Sequence, residues 1–281
     1  MKIMINGKTY DEERALYALS DAEVVDCSFM GPADGESALK ESRDIAVKNC
    51  RFELRYPLWH SHKFTLSDSS MSETCRAPLW YSTDGIINGT EINGVKCLRE
   101  CQDITLKNCR AVSPEFGWRC DRLNVTDCEI ESEYPFFESR NMTVHNLTLK
   151  GKYSFQYVEN AEIFDSHFQT KDSFWHAKNV IIENSVIDGE YFGWYSENLT
   201  LKNCKISGTQ PFCYCKKLTL VDCTLEGCDL AFEYSDVQAD IIGGIDSVKN
   251  PMSGKITADS IGAIIRGREV YPCDCEIEIR K

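Results

Sequence analysis

The feature that most constrains this chain is a phrase that returns every 19 residues. It reads apolar-x-apolar-x-Asn/Asp followed by a small or apolar residue, and seven successive copies begin at Ile104, Leu123, Met142, Ala161, Val180, Leu199 and Leu218. Looser copies begin at Ala22, Ile45, Phe64 and Gly85, with spacings of 23, 19 and 21. The extra residues read as loop insertions, at Gly31 to Glu36 and around Thr74 to Arg76. Beyond Val237 the register loosens. A fixed short period marks an architecture of stacked units, and 19 residues are too few for a helical hairpin of about 34. The apolar alternation of period two is that of a strand. The leucine-rich repeat is the rival, but its spacing of leucines is absent.

These observations predict an all-β fold, a right-handed single-stranded parallel β-helix with 19-residue coils. Equivalent strands would stack about 4.8 Å apart, and crossovers between parallel strands are nearly always right-handed. Two strands of each coil meet at the Asn/Asp, and a third is expected around phrases such as Pro78 to Ser82. The whole chain, 1–281, reads as one domain with coils over 21–245. Open ends expose strand edges, so residues 1–20 are expected to form a cap with a short amphipathic helix, Asp11 to Leu19. Residues 246–281 are expected to cap the other end.

The Asn/Asp column contains Asn49, Asp68, Asn108, Asp127, Asn146, Asp165, Asn184, Asn203 and Asp222. It tempts a calcium reading. The simpler account is that Asn and Asp tolerate the left-handed backbone of a sharp turn and can hydrogen-bond from rung to rung. The next column holds Cys27, Cys50, Cys109, Cys128, Cys204 and Cys223. Cys101, Cys120 and Cys215 share another with Ser61, Ser82, Ser139 and Ser196. Fifteen cysteines, an odd number with no CxxC spacing, argue against a disulfide framework and a zinc site. They read as core thiols in a reducing compartment, with no metal and no cofactor. The pair Cys273 and Cys275 is too short a signal for a metal.

The N-terminus lacks the features of a signal peptide, and no apolar run approaches the roughly 18 residues that cross a bilayer. A cytoplasmic protein is expected. A net charge of −13 disfavours nucleic acid and anionic membranes, which select basic patches. A neutral oligosaccharide fits that charge better.

The third segment of each coil carries the unusual residues. Four positions before each copy stand Glu41, His60, Tyr81, Glu100, Arg119, Glu138, Tyr157, His176, Tyr195 and Tyr214. One position earlier stand Lys40, Trp59, Trp80, Arg99, Trp118, Phe137, Gln156, Trp175, Trp194 and Cys213, a column containing all five tryptophans. Strand parity would turn one column outward and the other inward. Burying Glu100, Arg119 and Glu138 would be costly, so the charged column is expected outside and the tryptophans inside, with Arg99 and Gln156 as polar exceptions.

With that parity, Glu100 and Glu138 lie two rungs apart, about 9.6 Å at the usual strand spacing. Inverting glycosidases hold their two carboxyls roughly 6.5–9.5 Å apart. The candidate acid and base are therefore Glu100 and Glu138. Arg119 would position a substrate, and Tyr81, Tyr157, Tyr195, His60 and His176 would bind it. The triplet Glu100–Arg119–Glu138 reads more simply as a salt-bridged ladder, and the two histidines as packed groups. The inserted loop could contribute Asp34 or Glu36, although an ordinary surface loop is the simpler reading.

The runs Gly31 to Lys40 (GPADGESALK), Arg55 to His60 (RYPLWH) and Phe232 to Ser235 (FEYS), set on this repeat, resemble one family. It is a mostly bacterial pectin-lyase-like β-helix family, the domain-of-unknown-function family 3737, and the likeness covers nearly the whole chain. It implies the β-helix fold and carries over no catalytic residues. Signature residues of pectate lyases and polygalacturonases are absent, and fold analogy alone does not give function. Two functions are therefore carried forward. One is a carbohydrate-binding or carbohydrate-processing protein, glycoside hydrolase-like if an enzyme. The other is a non-enzymatic scaffold or protein-binding module.

Overall fold

The computed structural model describes residues 2–31 and 35–281, which form two compact units, 1–143 and 144–281. Each is a parallel β-solenoid, and no α-helix occurs among the described residues. In the first unit the strands Ser20–Val25, Arg43–Lys48, His62–Ser67, Thr83–Asn88, Gln102–Lys107 and Asp121–Ser132 pair in that order, all parallel. The inward positions of this ladder are the repeat's first apolar residues: Ala22 lies beside Ile45, Ile45 beside Phe64, Phe64 beside Gly85 and Gly85 beside Ile104. Gly85 is required there, because a Cβ would fall 2.3 Å from the Phe64 ring. A second, shorter ladder runs through Phe29, Phe52, Met71, Ile92, Ala111 and Ile130.

The second unit repeats the plan. Its strands Glu159–Phe164, Lys178–Glu183, Glu197–Lys202, Leu218–Glu226, Asp236–Ile241 and Ser253–Ala258 pair in sequence, and Glu276–Ile279 pairs with the last. The segment expected as a C-terminal cap thus continues the ladder, and Gly244–Lys249 and Ser260–Ile265 pair beside it.

The corner between the two ladders explains the Asn/Asp column. Asn49, Asp68, Asn108, Asp127, Asn146, Asp165, Asn184, Asn203 and Asp222 all adopt φ between 49° and 53°. The amide of Asn203 donates to Asn184 at 2.9 Å, and that of Asn184 to Asp165 at 3.3 Å. A second left-handed column escaped the sequence reading. It contains Asp21, Asp44, Lys63, Asp84, Asp103 and Arg122 in the first unit and Asn160, Asn179 and Asn198 in the second. All fifteen cysteines are buried and unpaired. Corner thiols donate to backbone carbonyls of the preceding rung, as Cys101 does to Leu79 at 2.7 Å.

Two expectations fail for one physical reason. Residues 11–19 form no helix. They are turns in which Arg14, Leu16 and Ala18 have φ near 55°, and this is the third side of a first coil, equivalent to Ser37, Leu39 and Glu41 one rung on and to Tyr56, Leu58 and His60 two rungs on. Nor is that third side a strand in any coil of the described residues. Alternate residues are left-handed, so the chain coils tightly and the two-residue parity of a pleated strand does not hold.

Three successive side chains of this side therefore behave differently. The first, Leu58, Leu79, Leu98, Phe136, Phe155, Phe174, Phe212 or Phe232, is fully buried. The second, the tryptophan column, is half-buried rather than inward, apart from the fully buried Cys213. The third points outward or sits half-exposed at the rim. In two coils the buried ring comes one residue early, as Phe116–Gly117 and Phe192–Gly193. Both glycines have φ above 70° or at it, and a Cβ on Gly117 would lie 2.9 Å from Phe136.

Candidate functional site

The outward column of the third side is followed by a buried small residue and then by the first outward position of the next strand. Two rows of side chains, exposed or half-buried apart from the buried Asp121, therefore flank a floor of Ser82, Cys101, Cys120 and Ser139, each no more than 1% exposed. In the first unit this corner forms an open depression of about 650 Å³. Tyr81, Glu100, Arg119 and Glu138 line one side, and Thr83, Gln102, Asp121 and Arg140 the other. The third side positions the first row, and the strand register places Thr83 beside Gln102 and Gln102 beside Asp121.

Within the depression, Arg119 donates through Nε to Glu138 Oε2 at 2.6 Å, and this carboxylate raises the pKa of the guanidinium further. Both partners are largely exposed. Among the lining residues that sequence reasoning missed, with Thr83, Gln102 and Arg140, is Asp121. It is buried, accepts the Asn141 amide at 2.7 Å, and lies against Arg122 and Arg140. Burial opposes its ionisation, but the Asn141 hydrogen bond and the two guanidinium charges outweigh burial and hold its carboxyl below the usual range. Arg122 also grips Asp103 with two bonds, 2.6 and 2.8 Å. The available signal was positional, since Thr83, Gln102, Asp121 and Arg140 recur two residues after the charged column.

Tyr81 differs from the other aromatic residues of its column. Its ring meets His60, Trp59 and Trp80 at interplanar angles of 85–88°, so none of these rings is stacked on its face. His60 also pairs with Glu41 at 3.3 Å. Behind this row the tryptophans form their own stack. Trp59 lies on Trp80 at 5.3 Å, and the Arg99 guanidinium sits between Trp80 and Trp118 at 4.5 and 4.7 Å while bonding Glu115 at 2.9 Å. Arg99 is thus accommodated as a cation between π faces. The indole N–H groups of Trp80, Trp118, Trp175 and Trp194 each donate to a backbone carbonyl at 2.6–2.7 Å, 16 residues on. Gln156 makes the same kind of bond through its amide, at 2.8 Å.

The remaining predicted binding residues, Tyr157, His176 and Tyr195, lie in the second unit and form another kind of surface. Tyr157 stacks on His176 at 4.8 Å, His176 on Tyr195 at 4.9 Å, and Tyr195 on Tyr214 at 4.9 Å, all within 12° of parallel. Their faces stack on one another, unlike that of Tyr81. Glu36 pairs with Arg55 at 3.4 Å and does not line the depression, whereas Asp34 lies outside the described residues. Among the described residues no group of three or more His, Cys, Asp or Glu side chains is arranged to hold a metal ion. Among the same residues no helix is long and apolar enough to cross a membrane.

A family model described as "Protein of unknown function (DUF3737)" matches residues 3–278. The chain belongs to that family. No curated protein matches this sequence. Among solved structures, this DUF3737 chain is similar to the catalytic domain of a GH87 α-1,3-glucanase in complex with nigerose. Identity there is 9% and the TM-score 0.35, over 99% of this chain and 63% of that one. It is also similar to the GH136 lacto-N-biosidase from Eubacterium ramulus, at 9% identity and TM-score 0.31, over 98% of this chain and 68% of that one. Tailspike protein 3 of bacteriophage CBA120 gives 10% identity and TM-score 0.29, over 98% of this chain and half of that one. The chain thus spans less than two thirds of the glucanase domain. These proteins differ too much from it to transfer a site.

Proposed function

We propose that the depression of the first unit binds a neutral oligosaccharide. The observation that carries this reading is the meeting, in one concave corner, of a tyrosine ring with no ring stacked on its face and hydrogen-bonding groups of both signs. Tyr81 supplies an apolar body with a polar tip. Thr83 and Gln102 supply uncharged donors and acceptors, and three carboxylates stand against two guanidinium groups. Such near balance favours a ligand that is polar but uncharged. A volume of about 650 Å³ lies within the range of small-molecule sites, which combine an apolar surface with a few converging polar groups. Fifteen buried, unpaired thiols fit a reducing compartment.

The test is a titration of tryptophan fluorescence with neutral oligosaccharides, because Trp59 and Trp80 contact Tyr81. Saturable quenching that Tyr81→Ala abolishes is expected. A flat response to the whole series would refute the reading.

Hydrolysis is a second reading, favoured by the two-rung separation of Glu100 and Glu138, about 9.6 Å at the usual strand spacing. That lies at the upper edge of the separation seen in inverting enzymes. Glu138 would first have to leave Arg119. An observed hydrolytic activity that survives Glu138→Gln unchanged would exclude Glu138 as its acid or base.

A further inference from the structure

His62 stands one rung before Thr83 in the same row and so lies beside a residue that lines the depression. Its Nδ1 lies 2.9 Å from the Thr83 hydroxyl oxygen. That hydroxyl has a single proton, and it donates to the Asp84 carboxylate at 3.0 Å. An ionised carboxylate accepts only, and a bond to it is stronger than one between neutral groups. With the Thr83 proton committed to Asp84, the short contact to Nδ1 is favourable only if Nδ1 carries a proton and donates it. The other ring nitrogen, Nε2, then holds an unshared pair and makes no hydrogen bond among the described residues. In that arrangement every donor of the set His62, Thr83 and Asp84 points toward Asp84, and Nε2 is the acceptor at the far end.

From this we infer that His62 Nε2 is the hydrogen-bond acceptor that selects a ligand hydroxyl at the Tyr81 end of the depression, and that binding there needs His62 neutral. The inference rests on the oligosaccharide reading for its ligand and on the Thr83 geometry for its chemistry. The surrounding charges support the neutral ring. Burial and the neighbouring Arg43 cation disfavour a proton on His62, with His60 in the same sense, whereas Glu41 and Asp84 favour one. The balance lies below the usual histidine value, so the acceptor is available at neutral pH and is lost only in acid. A neutral histidine in water mainly carries its proton on Nε2, so the opposite tautomer is a signature of this arrangement rather than of a solvated ring.

The experiment pairs two readouts on the full chain. Long-range ¹H–¹⁵N correlation of the five histidines, assigned with His62→Gln, reports the His62 tautomer at neutral pH. Fluorescence titration with cellohexaose, laminarihexaose, maltohexaose and xylohexaose at pH 7 and near pH 5 reports binding, with melting temperatures confirming that variants fold. The expected result is a His62 ring protonated at Nδ1 and bare at Nε2, returned to the Nε2–H form by Thr83→Val. Binding of at least one probe should weaken about tenfold in His62→Ala and in acid, about 1.4 kcal/mol. An Nε2–H ring in the native protein overturns the inference, as does binding that His62→Ala leaves within about twofold. The expected tautomer with no binding to any probe refutes the oligosaccharide reading and the ligand half of the inference, and leaves the acceptor itself established.

Discussion

The same position of the repeat makes opposite surfaces in the two units. In the first it carries Glu41, His60, Tyr81, Glu100, Arg119 and Glu138, and the corner opens into a polar depression. In the second it carries Tyr157, His176, Tyr195 and Tyr214, whose rings lie within 12° of parallel and 4.9 Å or less apart. Stacked parallel rings gain from contact with one another, and each ring in the run spends its faces on its neighbours. Charged side chains cannot close up in that way. Opposite charges pair across a rung, as Arg119 does with Glu138, and leave room beside them. A column of like aromatic residues therefore builds a closed ladder, whereas Tyr81, next to Glu100, meets its aromatic neighbours only edge to face. Exposure alone would not have separated the two cases, since Tyr157 and Tyr195 are 46% and 43% exposed.

That contrast can be broken by extending the ladder into the depression. Glu100→Tyr combined with Arg119→Tyr should fill the corner with rings stacked on Tyr81 and abolish oligosaccharide binding. A loss of more than about a hundredfold, roughly 2.7 kcal/mol, measured by fluorescence titration, is expected; retention of wild-type affinity would mean the depression is not the site. The contrast sharpens with two alanine variants. Tyr195→Ala removes two stacked ring contacts worth about 0.5–1.5 kcal/mol each, so denaturant melts should show a loss of about 1–3 kcal/mol with binding unchanged. Tyr81→Ala should lose comparable stability and, in addition, the binding.

The two corners should also fail at opposite ends of the pH scale. Asp121 has its pKa held down by Asn141, Arg122 and Arg140 against the effect of burial. Its contribution is in place above about pH 4 and is lost as the pH falls further. His62 is held below the usual histidine value by burial and Arg43, so protonating it costs stability as the pH drops below about 6.5. In the second unit, burial and Glu233 push the Tyr214 hydroxyl up; its contribution is present below about pH 10 and lost in alkali. Melting curves across pH should show the acid loss reduced by Asp121→Asn with His62→Gln, and the alkaline loss reduced by Tyr214→Phe. The smallest effect belongs to the ion pair. Arg119→Met should change stability by no more than about 1 kcal/mol, because both partners are largely solvated, and a larger loss in a urea melt would show that the pair organises the corner.

Much of this molecule is legible from the period. Coil length, the inward apolar columns, the left-handed Asn/Asp corner and the packing role of the thiols all follow from spacing and residue type, because each coil repeats one local geometry. The charged column's place at the surface was legible too, from the cost of burying Glu100, Arg119 and Glu138. The third side was not. Its apolar-aromatic-polar order reads as strand alternation and, at Asp11 to Leu19, as a helix. Alternate left-handed residues make it neither, and so the tryptophans lie half-buried at the rim. Asp121 and His62 were also invisible as site residues. Their roles depend on a row two residues away meeting the charged column across a buried corner, and on which hydroxyl proton reaches which carboxylate. Spacing along the chain determines which residues recur. Only the stacked structure decides which faces remain open, because that depends on contacts between rungs that share no local sequence signal.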